Sequence, residues 1–301
     1  MSITLNSGGK MPQIGLGTWA GMDPKERAAA QGWFSTALKA GYRHIDTAHF
    51  YGTEVFCRNA IRESGIPREE IFITTKLPAH HHERVAESLE ESFSNLGLDY
   101  IDLYLMHCPQ AILYDETTPL PRDADGVIIT TDYSLNDTWA DMEKLLATGK
   151  VKAIGVSNFS IKTLDQLFKT AKVVPAVNQV ELHPYLTQNE LLAYCKAKGI
   201  VITAFAATGY ANVREDPLIV QLAVKYGVTP TQVILAWHIS RGCVVIPKSA
   251  NPQRQKENLQ LPSLEADDNV KITALDRNER LSNKADETGR VFGWTYEQLG
   301  W

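Results

Sequence analysis

Eight times along this chain a short apolar stretch is followed by a longer amphipathic one, and that alternation leaves few ways to fold. The apolar stretches start at Gly15-Leu16-Gly17 and continue through 44–46, 71–76, 101–106, 153–157, 176–182, 201–205 and 244–246. Most are β-branched or leucine-rich and nearly free of charge, the composition of strands covered on both faces. The stretches between them carry helix signals. Asp23-Pro24 opens one that Gly41 stops, and Gly97, Gly149 and Gly199 end three others. Parallel strands alternating with helices in eight units fit an α/β fold, the (β/α)8 TIM barrel.

The remaining segments attach to that frame. Residues 2–14 read as an N-terminal β-hairpin, with its turn at 6–10. The long βα loop at 108–136 shows no period and is rich in Pro and Asp, which marks it as functional. Helices are expected at 82–96, 136–148, 216–226 and 230–240, and a short one after Asn251-Pro252. The tail, 259–301, reads as irregular. No change of composition marks a boundary, so residues 1–301 are expected to form a single domain. A doubly wound dinucleotide fold would need G-x-G-x-x-G after the first strand. Here Gly15 and Gly17 are followed by Ala20, with Gly21 one place late, and the eight-unit count favours the barrel.

The net charge of −5 argues against nucleic acid or an anionic membrane as a partner. Cys57, Cys108, Cys195 and Cys243 are scattered, with no CxxC pair, which suggests free thiols in a reducing compartment. The first ten residues contain no apolar signal core, and no apolar run has the length of a membrane span. A cytoplasmic, monomeric protein is the expectation.

In a barrel of this kind chemistry gathers at the C-terminal ends of the strands. Asp46 ends the second strand, Lys76 the third, and His107 follows the fourth; Tyr51 lies five residues past Asp46. A lysine ending an apolar strand needs an anion, and Asp46 is the nearest candidate. Its ammonium would stabilise tyrosinate and lower the pKa of Tyr51 from its usual value of about 10. Tyr51 could then protonate a carbonyl oxygen that His107 orients by a hydrogen bond. Nothing in the set is a strong nucleophile or a metal cage, so a hydride donor is implied. The run His80-His81-His82 stands where a helix should start and reads as a solvated turn, with no metal expected.

The motifs Gly15-Leu16-Gly17-Thr18-Trp19, Gly41-Tyr42-Arg43-His44-Ile45-Asp46-Thr47-Ala48-His49-Phe50-Tyr51-Gly52-Thr53-Glu54 and Thr75-Lys76 extend this constellation. So do 98–107, Gly155-Val156-Ser157-Asn158-Phe159 and Ile246-Pro247-Lys248-Ser249. Together they make the chain resemble the aldo-keto reductases end to end, and within them the fungal glycerol dehydrogenase and xylose reductase branch. The resemblance implies reversible, NADP(H)-dependent reduction of aldehydes, aldoses or small ketones, with Tyr51 as acid and Asp46, Lys76 and His107 around it. It implies that Ser157, Asn158 and Gln179 hold the carboxamide and that Phe205 stacks on the nicotinamide. Gly17, Thr18, Trp19, Asp46, Thr208 and Gly209 join the cofactor site. Lys248, Ser249, Ala250, Asn251, Arg254, Glu257 and Asn258 grip the adenosine end. Independently of the family, Lys248 and Arg254 bracket a helix N-terminus, a good place for a 2′-phosphate.

The substrate pocket is expected to use Trp19, Tyr51, His107, Cys108, Phe292 and Trp294. Cys108 replaces the family's tryptophan after His107, and Phe205-Ala206-Ala207-Thr208-Gly209 replaces its Tyr-Ser-Pro-Leu-Gly. Two other readings compete: a cofactor-binding regulatory subunit of a channel, and a Schiff-base aldolase using Lys76.

Overall fold

The computed structural model describes residues 1–301. β1 (Ser2–Thr4) and β2 (Lys10–Pro12) form the antiparallel hairpin. Eight parallel strands follow in sequential order: β3 (Leu16–Gly17), β4 (His44–Asp46), β5 (Phe72–Leu77), β6 (Leu103–Met106), β7 (Ile154–Ser157), β8 (Val177–Glu181), β9 (Val201–Phe205) and β10 (Val244–Val245). A parallel bridge between Ile14 and Val245 closes the ring, through Gly15 N–H donating to the Val245 carbonyl at 2.8 Å. The fold is the (β/α)8 barrel, and no single helix in it is long and apolar enough to cross a membrane.

The period of two along each strand decides what faces the barrel axis. On β5, Ile73 and Leu77 pack outward against the helices, whereas Phe72, Thr74 and Lys76 point in. Tyr104 and Met106 on β6 face the helical layer, while Leu103 and Leu105 join the inner cluster. That inner cluster is apolar at the N-terminal end, where Leu5 and Met11 of the hairpin plug the barrel together with Phe72 and Val177. Toward the C-terminal end the inward positions turn polar: His44 and Thr74, then Asp46, Lys76 and Gln179. Gly17 leaves no room for a side chain, since a Cβ there would stand 2.6 Å from the Ile246 carbonyl oxygen.

Several expectations need correction. The tail is not irregular throughout: it carries helices at Ala266–Thr273 and Tyr296–Leu299. The first is held by buried Asp268, which accepts from Lys225, Tyr226 and Lys271 at 2.7–2.9 Å. Two of those partners, Lys225 and Tyr226, are distant in sequence, and Ile272 is the helix's one buried apolar residue, so periodicity gave little signal. The helix expected from 82 begins at Val85, after a 3-10 turn at Ala79–His81. Between Gly209 and the helix expected at 216–226 stands a further short helix, Tyr210–Arg214. Its start needs Gly209, whose φ is +61° and whose Cβ would meet Val213 Cγ2 at 2.1 Å.

Candidate active site

At the C-terminal mouth of the barrel lies a cavity of about 660 Å³. Asp46, Tyr51, Lys76 and His107 meet at its base, three of them in the wall itself. Lys76 is fully buried; its Nζ donates to Asp46 Oδ1 at 2.6 Å and to the Thr47 carbonyl at 2.8 Å. The second Asp46 oxygen accepts from Gln179 Nε2 at 2.6 Å. Asp46 therefore bridges β4, β5 and β8 across the barrel interior.

The same ammonium lies 5.1 Å from the centre of the Tyr51 ring. Tyr51 sits on a 3-10 turn, His49–Tyr51, that Gly52 ends in a left-handed conformation. Its ring is edge-on to Trp19 at 5.1 Å and to His107 at 5.6 Å. Burial acting alone would lower the Lys76 pKa, but Asp46 and then Tyr51 outweigh it and hold the lysine above its usual value. Burial, then the Lys76 charge, keeps the His107 imidazole well below its usual value, so it is neutral. The expected acidification of Tyr51 is overturned. Burial of the phenol dominates the opposing effect of Lys76, and the net direction is upward.

A groove leads from this base toward Lys248, Ser249, Arg254 and Asn258. Along it lie Ser157, Asn158, Gln179, Phe205 and Thr208, and near the mouth Gly17, Thr18 and Trp19. Gly209, Ala250, Asn251 and Glu257, also expected to hold a cofactor, are not in the lining. Asn251 is the N-cap of helix Pro252–Asn258 and accepts from the amides of Gln253 and Arg254. It thus fills the amides that the sequence reading left open for a phosphate, and the cationic side chains remain. Arg214 and Tyr210, from the unforeseen helix, also line the groove. A basic residue close behind a Gly-Tyr turn was the only available signal for them.

On the opposite side the wall is Trp19, Phe50, His80, Cys108, Ile112, Leu120 and Phe292. Trp294 stays outside it, its backbone paired with Val291. The histidine run is buried rather than solvated. His82 meets Thr138 Oγ1 at 3.1 Å, His81 meets Ser88 Oγ at 2.9 Å, and His80 faces the cavity. Burial brings the pKa of His80 down to about 4 and those of His81 and His82 to about 3.

The chain matches the Aldo/keto reductase family over residues 13–277. It belongs to that family. It is 44% identical over 288 residues to a glycerol 2-dehydrogenase (NADP(+)) of Saccharomyces cerevisiae, covering 92% of this chain and 91% of the yeast protein. An aldehyde reductase from the same yeast is also 44% identical, with the same coverage of each chain. Aldo-keto reductase family 1 member A1 of Mus musculus is 40% identical, over 93% of this chain and 90% of its own. The solved aldose reductase of Schistosoma japonicum superposes with a TM-score of 0.90 at 31% identity, covering 99% of both chains. The chain is thus an oxidoreductase of the aldo/keto reductase family.

One part of this reductase's site comes from a residue no motif had flagged. Buried Glu181, at the end of β8, accepts from the backbone amides of Leu281, Ser282 and Asn283 at 2.6, 2.8 and 3.0 Å. The clamp seats Asn283 so that its Nδ2 donates to Asn158 Oδ1 at 2.7 Å. Burial pushes the Glu181 carboxyl up, but His183 and the three amides more than offset this and hold it below the ordinary carboxylate value. Glu181→Leu leaves those amides without their acceptor and should lower stability by about 3 kcal/mol, read from urea denaturation. Unchanged unfolding would show that the tail is seated by other contacts.

Proposed function

We propose that this protein, acting as a single domain, reduces aldehydes, aldoses and small ketones to alcohols, reversibly, with NADPH as the reductant. The observation that carries the reading is a charged, fully buried Lys76 held by Asp46 against the ring of Tyr51, with neutral His107 alongside in one cavity. The named relatives use NADP(+) or reduce aldehydes and support the same direction.

When bound, the cofactor supplies the hydride. His107, neutral, retains an N–H that can donate to the substrate oxygen and orient its carbonyl. Tyr51 delivers the proton to that oxygen as negative charge builds there, and Lys76 stabilises the tyrosinate left behind. Asp46 keeps Lys76 charged and in place. The raised pKa of Tyr51 means that the phenol is protonated at neutral pH, so the donor is loaded for reduction. The same charged state disfavours a Schiff-base role for Lys76, since an ammonium is no nucleophile.

The groove residues suit a dinucleotide. Phe205 offers an aromatic face, while Ser157 and Gln179 present polar groups to the carboxamide. Asn158 is already engaged, donating to the His107 carbonyl at 2.8 Å and accepting from Asn283, and its Oδ1 keeps a second lone pair for the cofactor. Lys248, Ser249 and Arg254 form the 2′-phosphate grip through side chains. The four cysteines, buried and unpaired, suit a reducing compartment such as the cytoplasm.

Tyr51→Phe should lower kcat for aldehyde reduction at least 1,000-fold (about 4 kcal/mol) while NADPH quenching of tryptophan fluorescence is unchanged; turnover near wild type would remove Tyr51 from the role of acid. Reduction needs protonated Tyr51 and alcohol oxidation the tyrosinate. The kcat for reduction is therefore expected to stay flat from pH 7 to about 9 and fall only above pH 10, while oxidation rises over the same range. A reduction rate that drops between pH 6 and 8 would contradict this order. Arg254→Ala should raise KM for NADPH about tenfold, the loss of one charge-assisted phosphate contact of about 1.4 kcal/mol, and leave NADH nearly unaffected. Equal losses for the two cofactors would place Arg254 away from the 2′-phosphate.

A further inference from the structure

The histidine run has a second side that the carbonyl chemistry does not use. His80 faces the cavity, but His81 meets two side chains from other elements: His49, on the Tyr51 turn, and Glu91, on helix Val85–Leu96. One donor atom from each of the three lies within 4.8 Å of the others. His49 Nε2 is 2.9 Å from Glu91 Oε2, and His81 Nδ1 is 4.0 Å from the same oxygen. Arg84 holds the other carboxylate oxygen, Oε1, at 3.3 Å, which leaves Oε2 turned to the histidines. The guanidinium of Arg84 is itself anchored over the Tyr114 ring, 4.4 Å from its centre.

We propose that His49, His81 and Glu91 form a binding site for a Zn²⁺ ion. Two imidazole nitrogens and one carboxylate oxygen are a donor set that zinc takes, with a fourth position left to water. It does not suit calcium or magnesium, which take oxygen donors. Donors at about 2.0–2.2 Å from one ion stand no more than about 4.4 Å apart, so small side-chain rotations close the observed spread. Ser88 Oγ, 2.9 Å from His81 Nδ1, competes for that nitrogen and has to swing aside when the ion binds. Arg84 acts on Glu91 as an outer partner that fixes the carboxylate.

None of the three ligands lines the cavity, yet their neighbours in sequence, Phe50 and His80, do. An ion here clasps the turn that carries Phe50 and Tyr51 to helix Val85–Leu96 from behind the cavity wall. The site therefore tightens the fold under the active cavity and takes no part in the reduction, and it stands or falls independently of the proposed activity.

The test uses the untagged full chain, stripped with EDTA and dialysed against graded Zn²⁺, with Co²⁺ as a spectroscopic substitute. One equivalent of Zn²⁺ should bind, Co²⁺ should give the intense visible bands of a four-coordinate site, and thermal unfolding should shift upward with Zn²⁺. His49→Ala and Glu91→Gln should each weaken binding by a factor on the order of 10–100 and abolish the Co²⁺ bands. Both side chains reach solvent, 21% and 40% exposed, so these variants are expected to keep the fold, checked by far-ultraviolet circular dichroism and NADPH binding. Failure to bind one equivalent, or equal affinity in wild type and both variants, would overturn the site and leave His49 and Glu91 as an ordinary hydrogen-bonded pair.

Discussion

An ammonium buried in the middle of a barrel is the constraint on which this structure turns. Lys76 has no exposed surface, and an uncompensated charge there would cost several kcal/mol. Asp46 answers it with one carboxylate oxygen and Gln179 secures the other, so three strands converge on one ion pair. Removing a single partner from such a pair costs about 3–5 kcal/mol, because the remaining charge is stranded. The pair also sets the electrostatics around it. Asp46 keeps Lys76 protonated; the Lys76 charge in turn helps keep His107 neutral and opposes the burial that makes the Tyr51 phenol reluctant to ionise, an opposition that Asp46 weakens.

The rest of the molecule holds groups against that pair from outside the barrel. Gln110, in the loop after β6, donates to the carbonyls of Val291 and Phe292 at 3.0 and 3.3 Å and so draws Phe292 into the cavity wall. Ser160 pins the Leu299 carbonyl at 2.6 Å, and Glu181 seats the three amides at 281–283. These are bonds between chain segments a hundred or more residues apart. Loops fixed in this way form a cavity shaped before any ligand arrives, the arrangement expected of a site that positions rather than reacts.

Much of this was legible in the chain itself. The strand–helix alternation gave the barrel because each apolar run must be covered on both sides and each helix has one face to offer. The period of two along 71–76 put Lys76 on the same face as Phe72, and the strand-end positions of Asp46 and His107 placed them at the same rim. Helix Pro24–Ala40 was readable from its Asp-Pro start and its glycine stop, because caps are local chemistry. Helix Ala266–Thr273 was not, because its stability comes from Asp268 meeting Lys225 and Tyr226.

Sequence alone therefore determined the fold, the family and the residues gathered around Lys76: periodicity, caps and motifs are written in neighbouring positions. Only the tertiary structure decided the charge states and the company those residues keep. Whether a phenol is acidic depends on the sum of burial and every nearby charge, and here burial outweighs Lys76 at Tyr51. Whether three histidines are solvated depends on what packs over them, and Ser88, Thr138 and Glu91 do so from other elements. Such sums run over distances in space, which a linear pattern does not encode.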